Sequence, residues 1–546
     1  MKVGILMPFE KIFNNKFFLF FLMIFLSSCI LLCENIFFGD DLNFHLSRIL
    51  FINNNISNGD FFSGLYYFFG YGYGEAFFYP DFFLYFPALL FHFTNNIILS
   101  YKFFILLINI LVVTTTYYSV FSITKSKKNS IIIALIYTLL PYRLCTMYYR
   151  TSLGESLAFI FFPLVLSGFF QLISGNTKKW YILAIGMSGL ILSHLLSSIL
   201  IFVALIPLFL IYIKKLNKDI LFGFFKAIIM TISLTAFFIF PMLEQMAVSK
   251  FKFYYAGYDV ALNNRALGIF NIFTEYNMFF NSNDFWMPPG IGVLLTLSII
   301  LFICNYKRVS TNTKILYIFG LFILLLTTNI FPWKYLNKYV RIFQFPWRIL
   351  SISIVTLLAA CTSMLSDLEI KKNKIMILIM CLFSLSSLYT CYLSLDRGRI
   401  NSVRYSIAWG EYFPIEFKER SVLYKNEYNL FNIRKNHFVI DYKNRFDYNV
   451  LFNNNTYLIE FDNNKDTNNE LKLPIVYYKG YVCYVNRKKT DVYKTDDGRV
   501  GINLGDSKGK IVVKYKSTVI QIVARVISAI GLFLLLICIF KRKKKI

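Results

Sequence analysis

Histidine is scarce in this chain: there are four, His45, His92, His194 and His437, and no set of His and Cys falls at the spacing that holds zinc. The nine cysteines include no Cys-x-x-Cys pair. Most of them (Cys29, Cys33, Cys304, Cys361, Cys381, Cys538) lie within or beside apolar runs and read as small apolar residues. Cys483 is alone in the large polar segment, which excludes a disulfide inside that segment. There is no Gly-x-Ser-x-Gly nucleophile elbow. The one glycine repeat, GYGYG at 70–74, lacks the strand before and helix after that a dinucleotide loop requires. Acidic residues are few, 30 against 57 Lys and Arg, for a net charge of +27. In a soluble protein that surplus would suggest nucleic acid. Here short basic loops between apolar runs explain it by the positive-inside rule, and no nucleic-acid partner is expected.

Long apolar runs are what the chain does have. Of its 546 residues, 57% are hydrophobic, too many for an ordinary soluble domain. Runs of ~17–25 residues, the length that crosses a bilayer, recur along most of it. The reading is a polytopic α-helical membrane protein of about 12 transmembrane helices, with a β-rich extracytoplasmic domain before the last helix. The spans are placed at about 17–38, 99–122, 129–141, 153–174, two within 180–213, 222–241, 290–305, 314–330, 349–366, 375–394 and 517–540. The run 180–213 would reach roughly 50 Å as one helix against a core of ~30 Å, so it is split near Ser193-His194. Span 7 is expected to stop at Pro241. Leu26-Ser27-Ser28-Cys29 looks like a lipoprotein cleavage box, but the apolar run continues past it, which favours an uncleaved first span.

Three divisions follow. Residues 1–394 form the transmembrane domain, with a large first external loop at 39–97. Residues 395–516 are polar and Asn-rich, with strand-favouring segments at 455–461, 475–485 and 510–515. Residues 517–546 are a last helix and a basic tail, KRKKK at 541–545. Lysines at 2, 11 and 16 and that tail place both termini in the cytoplasm of a bacterial cell, with the protein in its plasma membrane and 395–516 outside. The first external loop is crowded with Tyr and Phe, and short helices lying at the interface are expected there.

In this topology the suggestive polar residues share the external side. Asp41, His45 and Arg48 fall at i, i+4 and i+7, one helix face, with Asp40 as the helix cap. Arg143, Arg150 and Glu155, then His194, Glu244, Gln344 and Arg348, adjoin span ends, where an ionisable group facing lipid is costly. Convergence on one external cavity is the economical arrangement. Arginines match phosphate oxygens, aromatic faces suit sugar rings and lipid chains, and a carboxylate can take a proton from a hydroxyl or hold a divalent cation such as Mg or Mn. That set suits sugar transfer from a lipid phosphate.

Asp41-x3-His45-x2-Arg48, Asn58-Gly59-Asp60, GYGYG and Phe78-Tyr79-Pro80 resemble the first external loop of GT-C superfamily membrane glycosyltransferases. More narrowly, the chain resembles the bacterial membrane family labelled "6-pyruvoyl-tetrahydropterin synthase-related" and the YfhO-like proteins. PYRL at 141–144, SHLLS at 193–197, QFPWR at 344–348, Glu411-Tyr412-Phe413-Pro414 and LPIVYYKGY at 473–481 extend the likeness. The resemblance implies a polyprenyl-phosphate-linked sugar donor and a functional acid at Asp41. A cell-surface glycan, teichoic acid or glycolipid would accept the sugar. Asp41 would be the base, with Asp40 and His45 beside it, and Arg150, Arg348 and Arg143 would bind the donor phosphate. A lipid or polysaccharide transporter or flippase, with broken helices and charges near mid-membrane, is the first alternative. A non-catalytic scaffold for surface glycan assembly, with dispersed charges, is the second.

Overall fold

The computed structural model describes residues 16–33, 36–37, 39–66, 72–254, 261–273, 289–340, 344–368, 399–400, 410–417, 447–453, 455–462, 470–504 and 508–543. Contacts divide the chain into two compact units. One comprises Met1–Leu46, Leu89–Ile232 and Tyr258–Tyr405, the other Ser47–Ala88, Ser233–Gly257 and Ser406–Ile546.

The first unit is helical. Ile97–Thr124 starts at Asn96, whose side chain accepts from Leu99 N–H, and stops where Lys125 turns left-handed at φ 56°. Leu153–Ile173 and Trp180–Ile191 approach closely through glycines. A Cβ on Gly168 would lie 2.4 Å from the Leu183 nitrogen, and one on Gly186 2.7 Å from the Val165 nitrogen. Small residues at such contacts let two backbones meet where burial from water cannot drive association. Ser310 caps Thr311–Leu325, and the Asp367 carboxylate accepts from its N–H and its hydroxyl, which ties that helix to the end of Leu350–Asp367.

Among the described residues five helices are long and apolar enough to cross a membrane: Ile97–Thr124, Leu153–Ile173, Lys218–Val248, Pro346–Asp367 and Val519–Lys541. The pair Lys127–Thr138 and Pro141–Tyr149, bent by 48°, makes a sixth if it counts as one span. The chain is therefore a mostly helical membrane protein with a β-rich region before its last helix. Several expected spans are shorter helices, Lys16–Leu32, Leu195–Ile211, Gly292–Cys304 and Thr311–Leu325, and the one at 375–394 lies outside the described residues. The break at Ser193-His194 falls where the length argument put it.

Pro241 does not end its helix, contrary to expectation: Lys218–Val248 runs through it. The reason lies one turn earlier. The Ser528 hydroxyl donates to the Ser233 carbonyl and accepts from Phe237 N–H, bridging the bond that the helix opens there. A neighbouring hydroxyl that satisfies loosened backbone groups lets a membrane helix carry a proline.

Apart from a short pair in the first unit, Ile36–Phe37 with Arg399–Ile400, the described strands belong to the second unit. A five-stranded antiparallel sheet runs in the order Asp447–Asn453, Thr456–Asp462, Lys508–Tyr515, Tyr481–Val485, Lys488–Thr490. A three-stranded sheet runs Glu470–Val476, Arg499–Asn503, Val492–Lys494. Alternation sends Tyr457, Ile459, Phe461, Cys483, Val485, Ile511 and Val513 inward. The aromatics of the first external loop join this core. Tyr73, Phe77 and Phe78 are buried with Phe251, Tyr412, Phe413 and Tyr478, and Phe78 stacks on Tyr412 at 5.5 Å. These three loop aromatics are core residues of the β-rich unit, while Phe61, Phe62, Phe82 and Phe86 of the same loop are exposed. Helices do occur in the loop, at Leu42–Ser57, Glu75–Phe78 and Tyr85–Thr94. Residues 67–71 of the aromatic run lie outside the described residues.

Arg48 is the polar centre of this unit. Its Nε lies 3.1 Å from Glu75 and its Nη2 2.5 Å from Asp81, its guanidinium sits 4.1 Å from the Tyr79 ring, and Tyr66 donates to Asp81. Arg48 is 2% exposed and Glu75 1%. Burial holds the Glu75 carboxyl well above its ordinary range, with Asp81 adding to the effect and Arg48 opposing it. Arg48→Met, which strips the cation from two buried carboxyls, should cost about 3–5 kcal/mol in thermal unfolding of the detergent-solubilised chain. Glu75→Gln, isosteric with the protonated acid, should leave the unfolding temperature nearly unchanged.

Candidate functional site

Two short segments of the helical unit lock together. Asp41 N–H donates to the Arg150 carbonyl at 3.0 Å, and Leu153 N–H donates to His45 Nε2 at 3.1 Å. Gly39 lies against Thr151 so closely that a Cβ there would be 2.3 Å from the Thr151 hydroxyl. Only glycine fits that contact. Thr151 itself has φ 53°, a left-handed conformation that a β-branched residue rarely adopts. Just before it, Cys145–Tyr149 forms a π-turn, closed by Arg150 N–H on the Cys145 carbonyl. The chain is held strained at the point where Arg150 projects, a pattern that clusters at functional sites.

Arg150 pairs with Glu155 at 2.7 Å, their side chains 7% and 2% exposed. Tyr142 donates to the other Glu155 oxygen at 2.5 Å. The guanidinium lies 4.4 Å from the Trp347 ring. From the QFPWR segment Arg348 donates to Gln344 Oε1 at 2.5 Å and lies 5.1 Å from Phe345. Arg265 adds a third cation, bonding the Gln344 carbonyl and sitting 4.8 Å from the same Phe345 ring. Gln344 is left-handed too, φ 63°.

Asp41 lies within the field of this group. Burial raises its carboxyl above the ordinary 3.8; Arg150 and Arg348 pull the other way, while Asp40 and Glu155 reinforce the rise. Among the described residues no donor bonds that carboxylate. His194 sits at the break between two apolar helices, Nδ1 2.7 Å from Ser197 Oγ. Burial pushes its imidazole down to about 4, against the pull of Glu155, so it is neutral near physiological pH. An acceptor carboxylate, a guanidinium on a neutral amide and a rigid aromatic wall can orient a hydroxyl against an anionic group.

Of the expected group, Arg150 pairs with Glu155, Gln344 bonds Arg348, and Asp41 and His194 interact electrostatically with these charges. The remaining candidates have other employment. Asp41, not Asp40, stands just before the helix and supplies its first carbonyl, to His45 N–H. His45 Nε2 accepts from a helix N-terminus and so carries no proton, which makes it a positioning group. Arg48 belongs to the Glu75–Asp81 cluster. Glu244 accepts from Thr518 and Gln521. Arg143 is fully buried; it donates to the Thr138 carbonyl at the end of the preceding helix and to Asn109. A cation on the last carbonyls of a broken helix is a structural cap. Arg265 went unnoticed in the sequence, and Trp347 counted only as part of the QFPWR motif, because a loop arginine and one tryptophan carry no periodic signal. Among the described residues no three His, Cys, Asp or Glu side chains come together as a metal site would require, so no step is derived through a divalent cation.

No family model matches the chain. Over 221 residues it is 28% identical to an uncharacterized protein of Lactococcus lactis subsp. cremoris (strain MG1363). That stretch covers 39% of this chain and 36% of the relative, so the likeness spans little more than a third of the relative's length.

Because Asp41 is raised by burial, its ionised form costs folding free energy, and the cost appears as pH climbs through the raised value. Asp41→Asn should therefore unfold at the same or a higher temperature than wild type near neutral pH. The difference should vanish in acid, below the ordinary aspartate range; a variant less stable near neutrality would contradict this account.

Proposed function

We propose that this chain is a GT-C-type membrane glycosyltransferase, similar to the family labelled "6-pyruvoyl-tetrahydropterin synthase-related" and the YfhO-like proteins. It moves a sugar from a polyprenyl-phosphate donor to a glycan, teichoic acid or glycolipid acceptor outside the cytoplasm. In this reading about twelve spans cross the bacterial plasma membrane, both termini are cytoplasmic, and the β-rich domain is external. The observation that carries it is the Asp41 carboxylate, half-buried and without a donor among the described residues, in the field of Arg150 and Arg348.

The acceptor O–H gives its proton to Asp41 as its oxygen attacks the sugar's C1. The bond from C1 to the phosphate oxygen breaks, and its electron pair leaves with the polyprenyl phosphate. Arg348, bonded to a neutral amide, stabilises the charge that develops on that phosphate. Arg150 is already matched by Glu155, so its part is to position Asp41 through its backbone carbonyl. The gathering of these groups disfavours a scaffold with dispersed charges. One observation favours a transporter as second reading: the bent pair ending at Tyr149 and the buried Arg143–Asn109 contact resemble a broken helix with an intramembrane charge.

The test uses the full chain in nanodiscs, a panel of radiolabelled polyprenyl-phosphate sugars (glucose, galactose, N-acetylglucosamine) and a membrane glycolipid extract. Wild type should transfer label from one donor, and Asp41→Asn should lose about 10²–10⁴-fold. The pH profile should rise along a limb displaced above 3.8, since the base must be ionised and burial raises it. Full activity in Asp41→Asn would sink the assignment. Movement of a fluorescent polyprenyl lipid between leaflets without any transfer would favour the transporter.

A further inference from the structure

The last helix, Val519–Lys543, carries one arginine within its apolar stretch, Arg525. Measured from the basic end at Lys541, Arg525 lies about 24 Å along the axis, short of the ~30 Å thickness of a hydrocarbon core. A charge at that depth is costly unless it reaches the interface. The side chain does so by running back toward the helix N-terminus. Its Nη2 donates to the Ser517 hydroxyl at 2.9 Å, eight residues earlier, and to the Phe62 carbonyl at 3.2 Å. The guanidinium carbon sits 4.7 Å from the centre of the Phe62 ring.

All these partners are neutral. Among the described residues no carboxylate lies within ion-pair distance of Arg525, and no hydrogen bond engages its Nε or Nη1. Asp60, two residues before Phe62, accepts instead from Asn455 Nδ2 at 3.3 Å. The guanidinium thus keeps its charge and open N–H donors near the end of an apolar helix. Its surroundings are apolar and exposed. Phe61 and Phe62 are both exposed, and Tyr85 donates to the Phe61 carbonyl, which joins this segment to the one carrying exposed Phe82. A cation among exposed rings at that depth matches an anion carried on a lipid, the charge meeting the headgroup and the rings meeting the apolar part. An anionic phospholipid supplies the missing negative charge. A zwitterionic one brings its own cation to the guanidinium as well.

We propose that Arg525 binds the phosphodiester of an anionic phospholipid in the leaflet where the last helix begins, with Phe61, Phe62 and Phe82 along its glycerol and acyl portions. The N–H groups of Nε and Nη1 donate to phosphate oxygens, while Nη2 stays on Ser517 and on the Phe62 carbonyl. Those two bonds fix the guanidinium before the lipid arrives, so binding costs little side-chain freedom. The site requires only that this helix stand in a bilayer and is independent of the glycosyl-transfer reading.

The experiment labels the full chain with phenylglyoxal in nanodiscs of phosphatidylglycerol or of phosphatidylcholine with the same acyl chains, and reads each arginine by peptide mass spectrometry. Arg525 should label about tenfold more slowly in phosphatidylglycerol, the protection expected from a charge-assisted hydrogen bond. Arg487, exposed between two strands, is the control and should label alike in both. Equal labelling of Arg525 in the two lipids overturns the proposal. So does protection by undecaprenyl phosphate or inorganic phosphate, added to phosphatidylcholine nanodiscs, that phosphatidylglycerol does not reproduce. Variants give a second measurement, by native mass spectrometry of lipid binding to the detergent-solubilised chain. Arg525→Gln should raise the Kd of the tightest phosphatidylglycerol about tenfold and leave that of phosphatidylcholine unchanged, and Arg525→Lys should restore the preference. Equal loss of both lipids, or a lowered unfolding temperature with phosphatidylglycerol binding intact, assigns Arg525 to packing and overturns the proposal. The labelling comparison decides by itself if Arg525→Gln does not fold.

Discussion

The ion pair of Arg150 and Glu155 is the constraint around which the helical unit's polar groups are arranged. Two charges with almost no exposure are tolerable only if their remaining hydrogen-bonding atoms are matched. Tyr142 takes the second carboxylate oxygen and Trp347 covers the guanidinium face. Those demands fix the path of the chain from Tyr142 to Glu155, including its π-turn and the strained Thr151. The Arg150 carbonyl, set by that path, in turn holds Asp41 by its backbone and leaves its side chain to other tasks. A single buried pair thereby determines where an otherwise unconstrained carboxylate stands.

The β-rich unit solves a similar problem in a different way. There one guanidinium serves two carboxyls, and burial raises the Glu75 carboxyl well above its ordinary range against the pull of Arg48. Aromatic side chains surround the cluster, and the same rings form the unit's core with the inward faces of its strands. This accounts for Tyr73, Phe77 and Phe78 of the first external loop, whereas Phe61, Phe62, Phe82 and Phe86 stay exposed. It also explains why Arg48, three residues beyond His45 on one continuous helix, takes no part in the Asp41 group: its carboxyl partners lie 27 and 33 residues further along the chain.

How much was legible depended on the range of the force involved. The apolar runs, their basic flanks, the break at Ser193-His194 and the strand segments around 455–515 follow from composition and period, which act over a few residues. The convergence of Asp41, Arg150 and Arg348 was inferred from cost, since charges at span ends must find one another. The failures have a common cause. Pro241 reads as a stop because its rescuer, Ser528, is 295 residues from the carbonyl it takes over. His45 reads as chemistry because the helix end it caps is 108 residues away. Arg143 reads as a ligand-binding cation because nothing local says that the helix before Pro141 will break and need its carbonyl covered.

Sequence alone therefore determined that the chain is a helical membrane protein with a polar, strand-forming segment before its last helix. Hydrophobic length and alternation are local properties, and water and lipid read them without reference to the rest of the fold. Which polar side chains are structural and which are left with open hydrogen-bonding capacity was decided only by tertiary structure. That division depends on partners supplied from distant segments, and a buried donor or acceptor acquires its role from the groups that reach it.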